Sequence, residues 1–213
     1  DIESLPFVSR TDVLLIRIYD PMEKIGYPRG ILPQFSNSTL RDSLDYGYSF
    51  PQLELMHVPA IHAQGNNGQG VMIGVFDDGV RALDHATFSQ LRLVAMHDFV
   101  DGDTDVSISD TTDQKSGGHG VMTLSAIGGY TPGFLIGPAF GAEYVLARTE
   151  DALSETPLEE DNWVAAIEWA DSIGIDIAST SLGYLGYDMP FKTWTWQHMD
   201  GNTTVITRAA DIA

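Results

Sequence analysis

VMIGVFDDGV occupies residues 71–80, and GGHGVMTLSAIGG occupies residues 117–129. The first stretch is a continuous apolar run that ends in two aspartates and a glycine, which is typical of a strand in a parallel sheet covered on both faces. In the second stretch a histidine between glycines opens a helix. Strand-like and helix-like segments alternate along the rest of the chain. This order predicts an α/β fold with a mostly parallel sheet and helices on both of its faces.

Three parts of the chain differ in composition. Residues 1–20 contain short apolar stretches, and residues 21–47 carry prolines, glycines and polar residues that predict a linker. Residues 48–213 form the main predicted domain. In this domain the patterns predict helices over 53–64, 118–127 and 158–173, a last helix from about residue 203, strands over 71–76, 91–97, 144–147 and 175–179, and an acidic loop over 98–114.

Charge and composition exclude several classes of function. The chain has 213 residues and a formal net charge of -19. A surface of this sign repels nucleic-acid phosphates and anionic lipids, so we expect neither as a partner. No apolar run reaches the length that spans a bilayer. The absence of cysteine excludes disulfides, thiolate nucleophiles and cysteine–zinc sites.

Polar residues follow two of the predicted strands and open one helix. Asp77 ends the first strand of the main domain, Ser181 to Gly183 follow the fourth, and His119 opens a helix. In an open α/β sheet, ligands meet the carboxyl ends of the strands. A carboxylate beside an imidazole holds its tautomer and stabilises the imidazolium formed when the ring takes a proton. We therefore predict that Asp77 and His119 touch at this edge of the sheet.

The motifs around these residues resemble those of the subtilisin-like serine proteases. VFDDG is similar to the family's strand that ends in aspartate, and HGVMT to its histidine motif. GPAFGAEYVLARTE and AIEWADSIGIDIASTSLGY resemble two further family segments, and the likeness extends over residues 46–213. RTEDALSETPLEEDNWVAA and MDGNTTVITRAAD resemble a branch found in Bacteroidetes-type secreted proteins.

The resemblance implies a serine endopeptidase with an Asp-His-Ser triad, a polypeptide substrate and a secreted location. It assigns Asp77 and His119 as the catalytic aspartate and histidine. Ser181, Leu182 and Gly183 match the segment that binds extended substrate. The nucleophilic serine and the oxyanion asparagine are expected beyond residue 213, so the domain is expected to be truncated at its C-terminus and these residues alone to be inactive. The chain departs from the family pattern at the position after Asp77, where Asp78 replaces a small residue, and after His119, where Val121 and Met122 replace threonine and histidine.

The N-terminal part resembles the end of a subtilase propeptide. IESLPFVSRTDVL, within residues 1–20, carries this likeness. The resemblance implies that the protein's own propeptide is one of its partners and that the chain is cut between about Tyr19 and Tyr46. The alternative is an N-terminal extension that packs on the domain.

The resemblance implies no required cofactor, and calcium is compatible with the family but is not located by the sequence. Asp101, Asp103 and Asp105 mimic the start of a calcium-binding loop. Val106 stands where such a loop needs glycine, and Thr112 where it needs a bidentate glutamate. The pattern therefore favours a solvated acidic loop.

Two alternative functions stay open at this point. One is a fragment that binds peptides without cutting them. The other is a metal-dependent hydrolase in which Asp77, Asp78 and His119 hold the ion. Cleavage specificity and oligomeric state are not determined by the sequence.

Overall fold

The computed structural model describes residues 44–107 and 117–213, and both ranges belong to the unit Arg41–Ala213. The predicted propeptide end, most of the predicted linker and the last part of the acidic loop lie outside the described residues. No helix in the described ranges is long and apolar enough to cross a bilayer. The helices are α1 (Phe50–Leu55), α2 (Val58–His62), α3 (Gly118–Gly128), α4 (Leu158–Ile173) and α5 (Val205–Ile212), with single 3₁₀ turns at Ala86–Phe88 and Trp196–His198. The strands are β1 (Met72–Asp77), β2 (Arg92–Asp98), β3 (Tyr130–Thr131), β4 (Leu135–Ile136), β5 (Glu143–Arg148) and β6 (Ile177–Thr180).

Four of the strands form a parallel sheet in the order β2-β5-β1-β6. The central strand β1 pairs with β5 from Met72↔Glu143 to Asp77↔Arg148, and with β6 up to Phe76↔Thr180. The carboxyl ends of β1, β5 and β6 therefore lie side by side. Strands β3 and β4 form a separate antiparallel pair. The predicted α/β class with a mostly parallel sheet is confirmed.

Both faces of this sheet are covered by helices. On one face Ile73 and Val75 pack in a buried cluster with Leu124 of α3. On the other face Phe76, which is fully buried, meets Trp163 of α4 with ring centroids 6.0 Å apart and a T-shaped arrangement. Burial of one such aromatic side chain contributes about 1.5–3 kcal/mol. The uninterrupted apolar run of β1 is explained by this burial on both sides.

The predicted single helix over residues 53–64 is wrong, because the structure has two short helices there. Helix α1 ends at Leu55 and α2 begins at Val58. Pro59 has no backbone N–H, so it cannot donate to the carbonyl of Leu55 as a continuous helix would require. His57 absorbs the break with φ of 57° in the left-handed region. The antiparallel pair of β3 and β4 was absent from the sequence prediction.

A buried ion-pair network attaches the acidic loop to the sheet. Arg148, at the end of β5, is 5% exposed. Its Nη1 donates to Asp98 Oδ2 at 2.8 Å and to Asp101 Oδ2 at 2.6 Å. Removal of one partner from such a network leaves an uncompensated buried charge. Asp101 is thus an acceptor for Arg148 in the described part of the loop.

Candidate active site

The end of β1 and the start of α3 bring Asp77 and His119 into contact. His119 Nδ1 lies 2.7 Å from Asp77 Oδ1. A carboxylate only accepts hydrogen bonds, so Nδ1 carries the proton and donates it. The Asp77 side chain is 2% exposed and the His119 side chain 45% exposed. The imidazole is therefore anchored on its buried side and open to solvent on the other.

Two further donors hold the Asp77 carboxylate in place. Thr123 Oγ1 donates to Asp77 Oδ2 at 2.9 Å, and the backbone N–H of Asp78 donates to Oδ1 at 2.8 Å. With His119, both oxygens of Asp77 are engaged. Thr123 lies four residues after His119 on α3, and residues at this spacing share one face of a helix. Thr123 is absent from the residues predicted for the site, although its spacing from His119 places both on the helix face that meets Asp77.

Asp78 anchors the beginning of α3. Its Oδ1 accepts the backbone N–H of Gly120 at 2.8 Å and its Oδ2 that of His119 at 3.4 Å. The first N–H groups of a helix lack partners within the helix, and a carboxylate there also meets the positive end of the helix dipole. Burial raises the pKa of Asp78, the Gly120 N–H opposes the rise, and the neighbouring Asp77 charge adds to it. Asp78 therefore positions the helix turn that carries His119.

Replacement of Asp78 with alanine should lower the free energy of unfolding by about 1–2 kcal/mol, because the N-terminus of α3 loses its side-chain acceptor. Urea unfolding of the variant measures this loss. Asp84→Ala is the matched control, since Asp84 is exposed and its removal changes the net charge equally. Equal stability of the two variants would show that the bonds from Asp78 to α3 contribute nothing measurable.

The contact also depends on a close approach of two backbones. Gly79 follows β1 with φ of 97°, a conformation that favours glycine. A Cβ added at Gly120 would lie 1.9 Å from the carbonyl oxygen of Gly79. Only a residue without a side chain lets α3 come this near to the end of β1. The two glycines thus set the distance at which His119 reaches Asp77.

The predicted substrate-binding residues continue β6 at the edge of the sheet. Ser181 and Gly183 are exposed, and Leu182 is half-buried against the cluster that contains Phe76. Because Phe76 is in register with Thr180, this segment leaves the sheet beside Asp77. No hydrogen bond or ion pair among the described residues joins it to His119.

The same groups also lie close enough to be considered as metal ligands. One atom each of Asp77, Asp78 and His119 falls within 4.8 Å of the others. All four carboxylate oxygens already accept N–H or O–H donors, and Nδ1 donates to Asp77. An ion held by these atoms would displace those bonds. The arrangement is therefore better suited to holding an imidazole than to ligating a metal.

Comparison with known proteins identifies the family. Residues 68–211, more than half of the chain, match the model of the subtilase family. The chain belongs to the subtilase family. No curated protein matches this subtilase significantly.

Solved structures share the fold of this subtilase at low sequence identity. The MycP3 protease from the type VII (ESX-3) secretion system has a TM-score of 0.54 and 17% identity over 78% of this chain. MycP1 with the N-terminal propeptide removed gives 0.51 and 19% over 75%. MycP1 from Mycobacterium smegmatis gives 0.50 and 16% over 80%. The matches cover 42%, 43% and 42% of those three chains, so this subtilase chain spans less than half the length of the proteins it resembles.

Proposed function

We propose that the protein is a serine endopeptidase in which Asp77 and His119 activate a serine that lies beyond this chain. The observation that carries the proposal is the 2.7 Å contact between His119 Nδ1 and Asp77 Oδ1, made by an imidazole that stays 45% exposed. Membership of the subtilase family also supports a serine endopeptidase.

The proposed chemistry is proton transfer by His119. Since Nδ1 is bound to Asp77, Nε2 is the ring nitrogen left to take a proton from the attacking serine and return it to the leaving amine. The Asp77 carboxylate holds the ring in this tautomer and stabilises the imidazolium. Thr123 and the Asp78 N–H keep that carboxylate from rotating.

The proposed substrate is an extended polypeptide that lies along Ser181 to Gly183. Ser181 and Gly183 are exposed after β6, and an exposed extended backbone can form hydrogen bonds with a peptide as an added strand would. Neighbouring side chains would then select the sequence that is cut.

We propose further properties for the whole protein. The oxyanion asparagine would lie beyond this chain together with the serine, and residues 1–20 would be the end of a propeptide. We also propose that the enzyme is secreted and belongs to the Bacteroidetes-type branch, and the net charge of -19 suits a soluble protein in a salty medium.

A fluorophosphonate probe tests the reaction class. The full-length protein should be labelled at one serine and should lose hydrolysis of casein in step with labelling, because the probe captures an activated serine. Treatment with a zinc chelator should leave the rate of casein hydrolysis unchanged, because the proposed reaction uses a serine nucleophile and not a metal ion. The control is heat-unfolded protein, in which the reactive arrangement is lost.

The two alternative functions predict different results in the same assay. A metal-dependent hydrolase would resist the probe and lose activity with the chelator. A non-catalytic fragment would bind peptide, take no label and release no product. Either pattern would contradict the proposed function.

A further inference from the structure

The substrate segment, residues 181–183, continues β6 as an extended backbone. Leu182 is half-buried and Tyr184 is buried, whereas Ser181, Gly183 and Leu185 are exposed. This alternation is typical of an extended chain with one covered face. No backbone–backbone hydrogen bond within residues 44–107 and 117–213 involves Leu182, Gly183 or Tyr184. The position of the segment therefore depends on the residues that hold it at either end.

Helix α4 holds the start of the substrate segment. Trp163 of α4 is buried, and its Nε1 donates to Thr180 Oγ1 at 2.9 Å. Thr180 is the last residue of β6 and directly precedes the segment. The first end of the segment is thus bonded to the helix that covers this face of the sheet.

A buried carboxylate of the same helix holds the chain beyond the other end. Glu160 is 3% exposed. It accepts hydrogen bonds from the Tyr187 hydroxyl, from Trp194 Nε1 at 2.9 Å and from the Ile206 N–H at 2.8 Å. Residues three apart are neighbours on a helix surface, so Glu160 and Trp163 share one side of α4. This side of α4 therefore bonds to the chain both before and after the substrate segment.

The loop that Glu160 holds begins close to where the substrate segment ends. The Trp194 N–H donates to the Leu185 carbonyl at 2.8 Å, which closes residues 185–194 into a loop. Tyr187 is half-buried and packs against the cluster that contains Phe76. Because the two side chains that donate to Glu160 both belong to this loop, its position is set from α4.

The partners of Glu160 suit an ionised carboxylate. All three are donors, and an ionised carboxylate only accepts hydrogen bonds. Burial and the bond to Glu160 raise the pKa of the Tyr187 hydroxyl, so the phenol remains a donor. Hydrogen bonds to an ionised acceptor are roughly twice as strong as those between neutral groups. A glutamine at this position would offer one oxygen, and its amide N–H groups would face at least one of the donors.

We propose that Glu160 is a positioning residue for peptide binding, which fixes the end of the substrate segment through Tyr187 and Trp194. The inference rests on the proposed function, in which residues 181–183 bind an extended peptide. A segment that is already held in its bound conformation loses less conformational entropy when a peptide pairs with it. No hydrogen bond or ion pair among the described residues joins Glu160 to His119. Glu160 should therefore act on the affinity for substrate and not on proton transfer.

The kinetics of casein hydrolysis by the full-length protein test this role with Glu160→Gln. We expect KM for casein to rise about tenfold while kcat changes by less than about twofold, because an interaction shared by the ground state and the transition state affects KM alone. Glu168→Gln is the matched control, since Glu168 is exposed on the same helix and the variant loses the same charge. Its KM should be unchanged.

A double-mutant cycle determines whether Glu160 acts through Tyr187. Tyr187→Phe keeps the ring and removes one donor, so we expect it to raise KM about threefold by itself. Added to Glu160→Gln it should raise KM by less, because the bond is already lost. Fully additive effects would contradict the inference. Should Glu160→Gln fail to fold, Tyr187→Phe carries the test, and an unchanged KM in that variant would overturn the inference.

An unchanged KM in Glu160→Gln would also overturn the inference, even with lower stability, since Glu160 would then support the fold only. A fall in kcat at constant KM would do the same. Anisotropy of fluorescein-labelled casein separates these results from failure of the proposed function. Protein that binds the labelled casein without cutting it contradicts the protease alone. The inference would then be supported by an affinity about tenfold weaker in Glu160→Gln, and overturned by equal affinity or by no binding to the unchanged protein.

Discussion

Hydrolysis of casein by the full-length protein is expected to fall by about 10⁶-fold when His119 is replaced with alanine. Loss of a triad histidine typically has an effect of this size, because the nucleophile then has no base and the leaving amine has no acid. The variant keeps Asp77, Thr123 and the backbone of α3, so the fold around the site should persist. Initial rates, together with circular dichroism to verify folding, measure the effect.

The matched control removes a histidine that lies elsewhere. His57 is exposed and adopts the left-handed conformation that asparagine tolerates. His57→Asn should therefore hydrolyse casein at the unchanged rate. A near-normal rate of casein hydrolysis in His119→Ala would show that His119 is not the base that takes the proton from the serine. The proposed mechanism would then be wrong.

Gly120→Ala is expected to cause the largest loss of stability among single methyl additions in α3, about 3 kcal/mol or more, or to prevent folding. The new Cβ would lie 1.9 Å from the Gly79 carbonyl oxygen and 3.2 Å from Asp77 Cβ. The first neighbour is backbone and cannot rotate away. Helix α3 would have to move off β1, which would also separate His119 from Asp77. Chemical denaturation and casein hydrolysis measure the two consequences.

Gly118→Ala is the matched control for this substitution. Gly118 lies two residues earlier in the same helix, and a Cβ there meets nothing within 4 Å. Because alanine favours the helix more than glycine does, this variant should be unchanged or stabilised by up to about 1 kcal/mol. Similar stability of the two variants would contradict the close approach of α3 to β1.

Local sequence patterns were enough to predict how strands and helices alternate in the main domain. The predicted strand over 71–76 is Met72–Asp77 in the structure, and the predicted helix over 158–173 is Leu158–Ile173. Apolar runs and helical spacing involve neighbouring residues only, so they can be read without knowledge of the fold. The break before Pro59 is also local, but the apolar spacing of residues 53–64 predicts one helix, and the missing N–H of Pro59 overrides that spacing.

The other partners of Asp77 and Asp78, beyond His119, could not be predicted in this way. The bonds from Thr123 and from the N-terminus of α3 to Asp77 and Asp78 join residues more than forty positions apart. Glu159 and Glu160 are adjacent and identical in type, yet Glu160 accepts three donors from distant segments, whereas Glu159 accepts the Asp151 N–H at 3.4 Å.

The amino-acid sequence by itself determined the class of fold, the family motifs and the pairing of one aspartate with one histidine, because these follow from short-range periodicity and from motifs that need few residues. Only the tertiary structure decided how the Asp77 carboxylate is held, how near α3 comes to β1, and how many donors each buried acid receives. Burial and hydrogen-bond satisfaction are properties of the assembled chain, since each depends on the groups that folding brings together from distant segments.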